Sequence, residues 1–186
     1  MRISFTGTGC SGKSTMLKAC QEHYGDRFQY ITEVTRPLAR KGFKINEEGD
    51  SATQRAIIDA HIDNDKIDNV IMDRCIIDGY VYTEWLFHEQ KVTPEIYEYA
   101  YDTLNDILNN IDIIFYCEPL EMKDDGERST NKKFQDDINC SMTQLLYQEE
   151  WNCAYRGTLI TLKNKPVDKR FEDIKIAIET HECNTR

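Results

Sequence analysis

Arg2-Ile3-Ser4-Phe5-Thr6-Gly7-Thr8-Gly9-Cys10-Ser11-Gly12-Lys13-Ser14-Thr15 is a short apolar run, a glycine-rich turn and the start of a helix. Residues 7–14 satisfy G-x-x-x-x-G-K-[ST] at every fixed position. The spelling has a physical cause. Glycines let backbone N–H groups converge on an anion with no Cβ in the way. The helix opening at Lys13 turns its unpaired amides and positive dipole end toward the same point. This is the phosphate loop of a nucleotide-binding protein.

Gly7, Thr8, Gly9, Cys10, Ser11, Gly12, Lys13, Ser14 and Thr15 are therefore the expected binders of a nucleoside triphosphate, ATP or alternatively GTP. Lys13 reaches the β- and γ-phosphates, the Ser14 hydroxyl suits Mg²⁺, and Thr15 is assigned to the α-phosphate. A loop of this kind does not say what receives the γ-phosphoryl group.

Outward from the loop, strand and helix patterns alternate. Strands are expected at 3–6, 28–32, 69–73, 111–117 and 158–162, and helices at 13–23, 52–64, 93–109, 136–148 and 167–179. Pro94 suits the first turn of its helix. The alternation predicts an α/β fold: an open parallel sheet of about five strands with helices on both faces. One domain over 1–186 accounts for the length. Such sheets bind ligands beyond the carboxyl ends of their strands. The second chemical signal falls there: Val70-Ile71-Met72-Asp73 is an apolar strand ending in an acid, with Arg74 directly after it. Asp73 has the form of a metal-side carboxylate, and Arg74 can pair with a phosphate.

Composition narrows the partners. The formal charge is −10, which argues against gripping a long stretch of nucleic acid. No apolar run approaches the roughly 20 residues of a membrane helix, and there is no secretory signal. The seven cysteines are scattered, with no C-x-x-C pair. A cytoplasmic protein with reduced thiols is expected. His23, His61, His88 and His181 have no ligand spacing, and none is assigned chemistry.

The phosphate loop, Asp73-Arg74 and Asp125-Gly126-Glu127-Arg128-Ser129 together resemble the P-loop nucleoside and nucleotide kinase group. The similarity is greatest to its AAA-type branch, which contains nicotinamide-riboside kinase domains and phage-encoded ATPase/kinase proteins; for a phage protein the compartment is the host cytoplasm. Thymidylate and deoxynucleoside kinases carry a comparable acid-arginine pair, although Cys75 stands where deoxynucleoside kinases usually have Ser. The resemblance implies that Glu33, after the second strand, holds or deprotonates the acceptor hydroxyl. It implies that Gln54 binds a base edge and that 121–133 is a lid whose Arg128 closes over the transferring group. The loop after the last strand, 161–166, is implied to wrap an adenine. Arg36 and Arg40 are candidates for an acceptor phosphate. Tyr80, with Tyr82, Trp85 and Phe87, is a candidate to stack an acceptor ring.

The expected activity is ATP-dependent phosphoryl transfer with Mg²⁺ to a small nucleoside, nucleoside monophosphate or related ribosyl acceptor. The expected catalytic set is Lys13, Glu33, Asp73, Arg74 and Arg128. Two other readings stay open: a kinase acting on a nucleic acid end or a modified base in DNA, and an NTP-binding regulatory module. A homodimer is compatible with the sequence.

Overall fold

The structure is a computed structural model of the chain and describes residues 1–121, 131–148 and 154–184. Five strands form one sheet: β1 (Arg2–Thr6), β2 (Gln29–Ile31), β3 (Val70–Asp73), β4 (Ile113–Cys117) and β5 (Thr158–Leu162). Their order is β2-β3-β1-β4-β5, and every neighbouring pair is parallel. Seven α-helices are described: α1 (Lys13–Tyr24), α2 (Thr35–Arg40), α3 (Ser51–Asp65), α4 (Ile76–His88), α5 (Pro94–Ile107), α6 (Lys132–Tyr147) and α7 (Val167–Asn184).

Strand alternation sorts the apolar side chains into two layers. Ile3, Phe5, Ile71, Ile113 and Phe115 face α1 and α7, where Met16, Leu17, Cys20, Ile174 and Ile178 close one core. Val70, Met72, Ile114 and Tyr116 face the other way, against Ile58, Ile76, Ile77, Ala100, Leu104, Ile138 and Met142 of α3 to α6. Phe5 and Phe115 stack across β1 and β4 with ring centroids 5.4 Å apart. Burying such a ring contributes about 1.5–3 kcal/mol.

β1 is central and pairs with β3 on one side and β4 on the other, with Phe5 opposite Asp73 and Thr6 opposite Tyr116. This register brings the phosphate loop, the acid of β3 and the end of β4 to one edge of the sheet, the carboxyl edge.

The expected elements are present; α2 and α4 are helices beyond the expected five, and α6 begins earlier than expected. α2 was not foreseen, because six residues are too few to show a helical period. α6 starts at Lys132 rather than near 136, since the Asn131 side chain caps it by accepting from the Phe134 amide at 3.1 Å. Lys132 and Lys133, at the end of the expected lid segment, thus lie in the first turn of this helix. The rest of that segment, 122–130 with Arg128, lies outside the described residues, so no geometry attaches to the Arg128 assignment.

Candidate functional site: a phosphate loop beside a buried arginine cluster

The loop between β1 and α1 depends on glycine at two points. Gly7 has φ 141°, and a Cβ there would sit 2.6 Å from the Cys117 carbonyl oxygen. Gly12 has φ 80°, and a Cβ there would meet Arg170 Nη1 at 2.7 Å. Both positions lie in the region that favours glycine. The Lys13 ammonium is buried inside the turn, donating to the Gly7 and Thr8 carbonyls at 2.8 and 2.7 Å and to Ser11 Oγ at 3.0 Å. Burial lowers its pKa, and the charge of Arg74 adds to the effect.

Ser14 and Asp73, 59 residues apart, meet directly: Ser14 Oγ donates to Asp73 Oδ2 at 2.6 Å. Asp73 Oδ1 is buried and has no hydrogen-bond partner among the described residues. An orphaned carboxylate oxygen beside a serine hydroxyl, at the foot of a phosphate loop, is a donor set that fits Mg²⁺, which takes hard oxygen ligands.

Arg74 follows Asp73 with φ 84°, a left-handed conformation that costs a non-glycine residue about 1–3 kcal/mol. Its amide is held by the Phe5 carbonyl at 2.9 Å. The turn directs the guanidinium into the interior. Nε donates to Glu33 Oε1 at 2.9 Å, and Nη1 donates to Asp78 Oδ1 at 2.8 Å and to the Gly7 carbonyl at 3.2 Å. The Tyr82 ring lies 5.3 Å from its centre. Burial works against the charge, but Tyr82, Glu33, Asp78 and Asp73 outweigh it, and Arg74 stays protonated. Asp78 is fixed in turn by Thr6 Oγ1 at 2.9 Å and by the Cys75 amide at 3.2 Å, at the N-terminus of α4. Removing one partner from such a buried pair costs about 3–5 kcal/mol.

Glu33 is pulled both ways. Burial raises its pKa, but Arg74, the Thr35 hydroxyl at 2.7 Å and Lys13 overcome this and hold it at about 2. It is therefore an ionised carboxylate at neutral pH. Arg36 Nε lies 3.7 Å from its second oxygen.

A narrow cleft opens beside this cluster. Glu33, Gln54, His61, Arg74, Asp78 and Tyr82 line it. Gln54 is fully buried and meets Thr83 Oγ1 at 3.0 Å. A second cleft runs from Glu33 and Arg36 past Gly9 to Phe134 and Gln135. On the other side, Arg36 and Arg40 line a groove with Ser14 and Asp73.

The sequence expectation for Tyr80 is corrected. Its hydroxyl donates to Glu84 at 2.7 Å, and its ring packs near Tyr97 and Tyr101 of α5. Tyr80 lies in the α4–α5 contact, not in the cleft. Tyr82 lines the cleft instead, because two helical positions are about 200° apart around the axis. Phe87 stacks on Tyr97, and Trp85 packs against Phe134. The loop after β5 is tied to the end of β4 by Glu118, which accepts from Lys163 Nζ and the Asn164 amide, both at 2.9 Å.

Three residues that sequence reasoning passed over belong to this region. Asp78 stands four residues after Arg74 at a helix start, a spacing that invites an ion pair. His61 lines the cleft seven residues after Gln54, on the buried face of α3. Arg170 of α7 is fully buried and donates from Nη2 to the Ser11 carbonyl at 2.9 Å. Its 159-residue separation from Ser11 leaves no local signal.

Membership of a class follows from a family model described as AAA domain, which matches residues 2–160. The chain belongs to that family. Among solved structures it is similar to deoxyadenosine kinase from M. mycoides with bound dCTP. The TM-score is 0.74 and the identity 17%, with 97% of this chain and 100% of that one covered. It is also similar to NadR protein in complex with NR, with TM-score 0.69, 15% identity and 96% of this chain covered; the match spans 50% of that longer chain. No match was found among curated proteins. The fold is thus that of P-loop nucleoside kinases. Among the described residues, no helix is long and apolar enough to cross a membrane.

Proposed function

We propose that the protein is a kinase that transfers the γ-phosphoryl group of ATP to a hydroxyl of a nucleoside, a nucleoside monophosphate or a related ribosyl compound. The observation that carries this reading is the contact of two sites through one arginine. Arg74 bonds the Gly7 carbonyl of the phosphate loop, and also Glu33 and Asp78 on the wall of a cleft. A regulatory nucleotide binder has no need of a second cleft, lined by a buried carboxylate, beside its phosphate loop. The similar structures are of deoxyadenosine kinase with bound dCTP and of NadR protein in complex with NR.

In this reading Lys13 and the loop amides hold the β- and γ-phosphates. Ser14 and Asp73 would hold Mg²⁺, which neutralises charge on the phosphate oxygens. Glu33 accepts a hydrogen bond from the acceptor hydroxyl and aims its oxygen at the γ-phosphorus. A carboxylate held near pKa 2 is a weak base. It therefore takes the proton late, as the new O–P bond forms and the bond to the ADP oxygen breaks, which suits the loose transition state of phosphoryl transfer. Arg74 keeps Glu33 ionised and oriented. Arg36, which lines two of the clefts, is the residue proposed to meet an acceptor phosphate, and Arg128 is proposed to close over the transferring group. One domain carries all these parts.

The test is a panel: ATP turnover measured with free nucleosides, nucleoside monophosphates, nicotinamide riboside and short oligonucleotides. Stimulation by a nucleoside or ribosyl compound is expected. Stimulation by oligonucleotides alone, or by none of the panel, overturns the proposal.

A further inference from the structure

His61 lies on the buried face of α3, one helical stripe with Gln54, Ile57 and Ile58, and only 3% of its surface is exposed. Both ring nitrogens are buried without a hydrogen-bond partner among the described residues. Buried polar groups in folded proteins are nearly always paired, and the exceptions call for an explanation. Here the ring borders the cleft that holds Glu33, Gln54, Arg74 and Tyr82. It is also packed closely from the far side. A Cβ on Gly79 of α4 would come within 3.1 Å of His61 Cδ2, so glycine leaves room for the imidazole against the helix.

Burial, reinforced by the Arg74 charge, pushes the His61 pKa down to about 3. At neutral pH the ring is uncharged, with one N–H donor and one bare nitrogen acceptor. Neither meets a partner among the described residues, and a leucine would fill the same space at lower desolvation cost. The partner that the pair of nitrogens fits is a polar, uncharged, planar edge entering the cleft.

We propose that His61 is a specificity-determining residue for the acceptor: its imidazole hydrogen-bonds the edge of the acceptor's heterocyclic ring and selects rings that carry a donor or acceptor there. The inference rests on the proposed kinase activity and adds what the cleft recognises. Gln54 supplies an amide on the same wall, so two polar side chains two turns apart on one stripe of α3 read the ring while Glu33 holds the hydroxyl.

The experiment compares kcat/KM of the wild type, His61→Leu, His61→Gln and Gly79→Ala. Substrates are an accepted nucleoside and analogues in which single ring nitrogens become CH or the exocyclic amine is removed. For an adenine ring these are the 1-, 3- and 7-deaza compounds and the unsubstituted purine nucleoside. The wild type should disfavour one analogue by about 10- to 100-fold, mainly through KM. His61→Leu should erase that preference by losing activity on the parent only, and His61→Gln should keep part of it. Gly79→Ala should weaken it by displacing the ring, and these last two variants carry the comparison if His61→Leu does not fold. Equal losses on every analogue, or a wild type indifferent to all of them, overturn the specificity role and leave the kinase reading standing. Acceptance of no nucleoside at all overturns the kinase reading itself, and this inference with it.

Discussion

Residues 7–15 present their phosphate-facing groups on one continuous turn, whereas the neighbouring cleft takes Glu33, Gln54, His61, Arg74 and Tyr82 from four separate segments. The first region is a matter of backbone: glycine conformations, a helix start and a lysine folded into the turn. The second is a matter of side chains, aligned by helices whose common direction comes from packing. A backbone site tolerates little variation and serves any triphosphate. A side-chain site can be retuned position by position, and so is where substrate identity is expected to reside.

The comparison predicts that variants of the two regions separate in kinetics. The largest effect is expected at the loop: Lys13→Ala should lower kcat/KM on the order of 10³-fold. Its thermal transition should stay near that of the wild type, because burial already disfavours the ammonium and its loss relieves that cost. Activity near the wild-type level would detach the loop from the chemistry.

Next, Asp73→Asn should weaken apparent Mg²⁺ affinity by about 10- to 100-fold in a metal titration of turnover. An unchanged titration would remove Asp73 Oδ1 from the metal side.

A smaller effect sharpens the boundary. Arg170→Met should raise KM for ATP by about 10-fold and leave KM for the acceptor alone, since its contact is the Ser11 carbonyl. A change confined to acceptor KM would place Arg170 with the wrong region.

The smallest effect is a null with a sign. Glu33 is depressed to about 2, so it remains ionised from acidic to alkaline pH. Its contribution to stability is complete above the ordinary glutamate range of about 4.3 and is lost as pH falls toward 2. The profile of kcat/KM should therefore show no acidic limb from Glu33 between pH 5 and 8. Such a limb, abolished in Glu33→Gln, would mean a carboxyl that titrates near neutrality and acts as an ordinary general base.

How much was legible follows the same division. Residues 7–15 and the Asp73-Arg74 pair could be read because each is contiguous and each follows an apolar strand. The five strands were visible for the same reason. The cleft was harder. The sequence groups Tyr80 with Tyr82, Trp85 and Phe87, because a run of aromatics does not report which side of a helix each one occupies. His61 was dismissed as a lone histidine, yet Gln54 and His61 sit seven residues apart among Ile57 and Ile58. Polar residues inside a buried stripe are a readable signal. Arg170 was out of reach, since only the fold brings α7 against the loop.

The central claim is that the γ-phosphoryl group crosses from loop to cleft and does not go to water. It is tested most directly by measuring, in one reaction with ATP and an accepted nucleoside, the ADP formed and the phosphorylated acceptor formed. The account predicts one phosphorylated acceptor for each ADP, with free phosphate at background. ADP matched by free phosphate, with the acceptor unchanged, would contradict it.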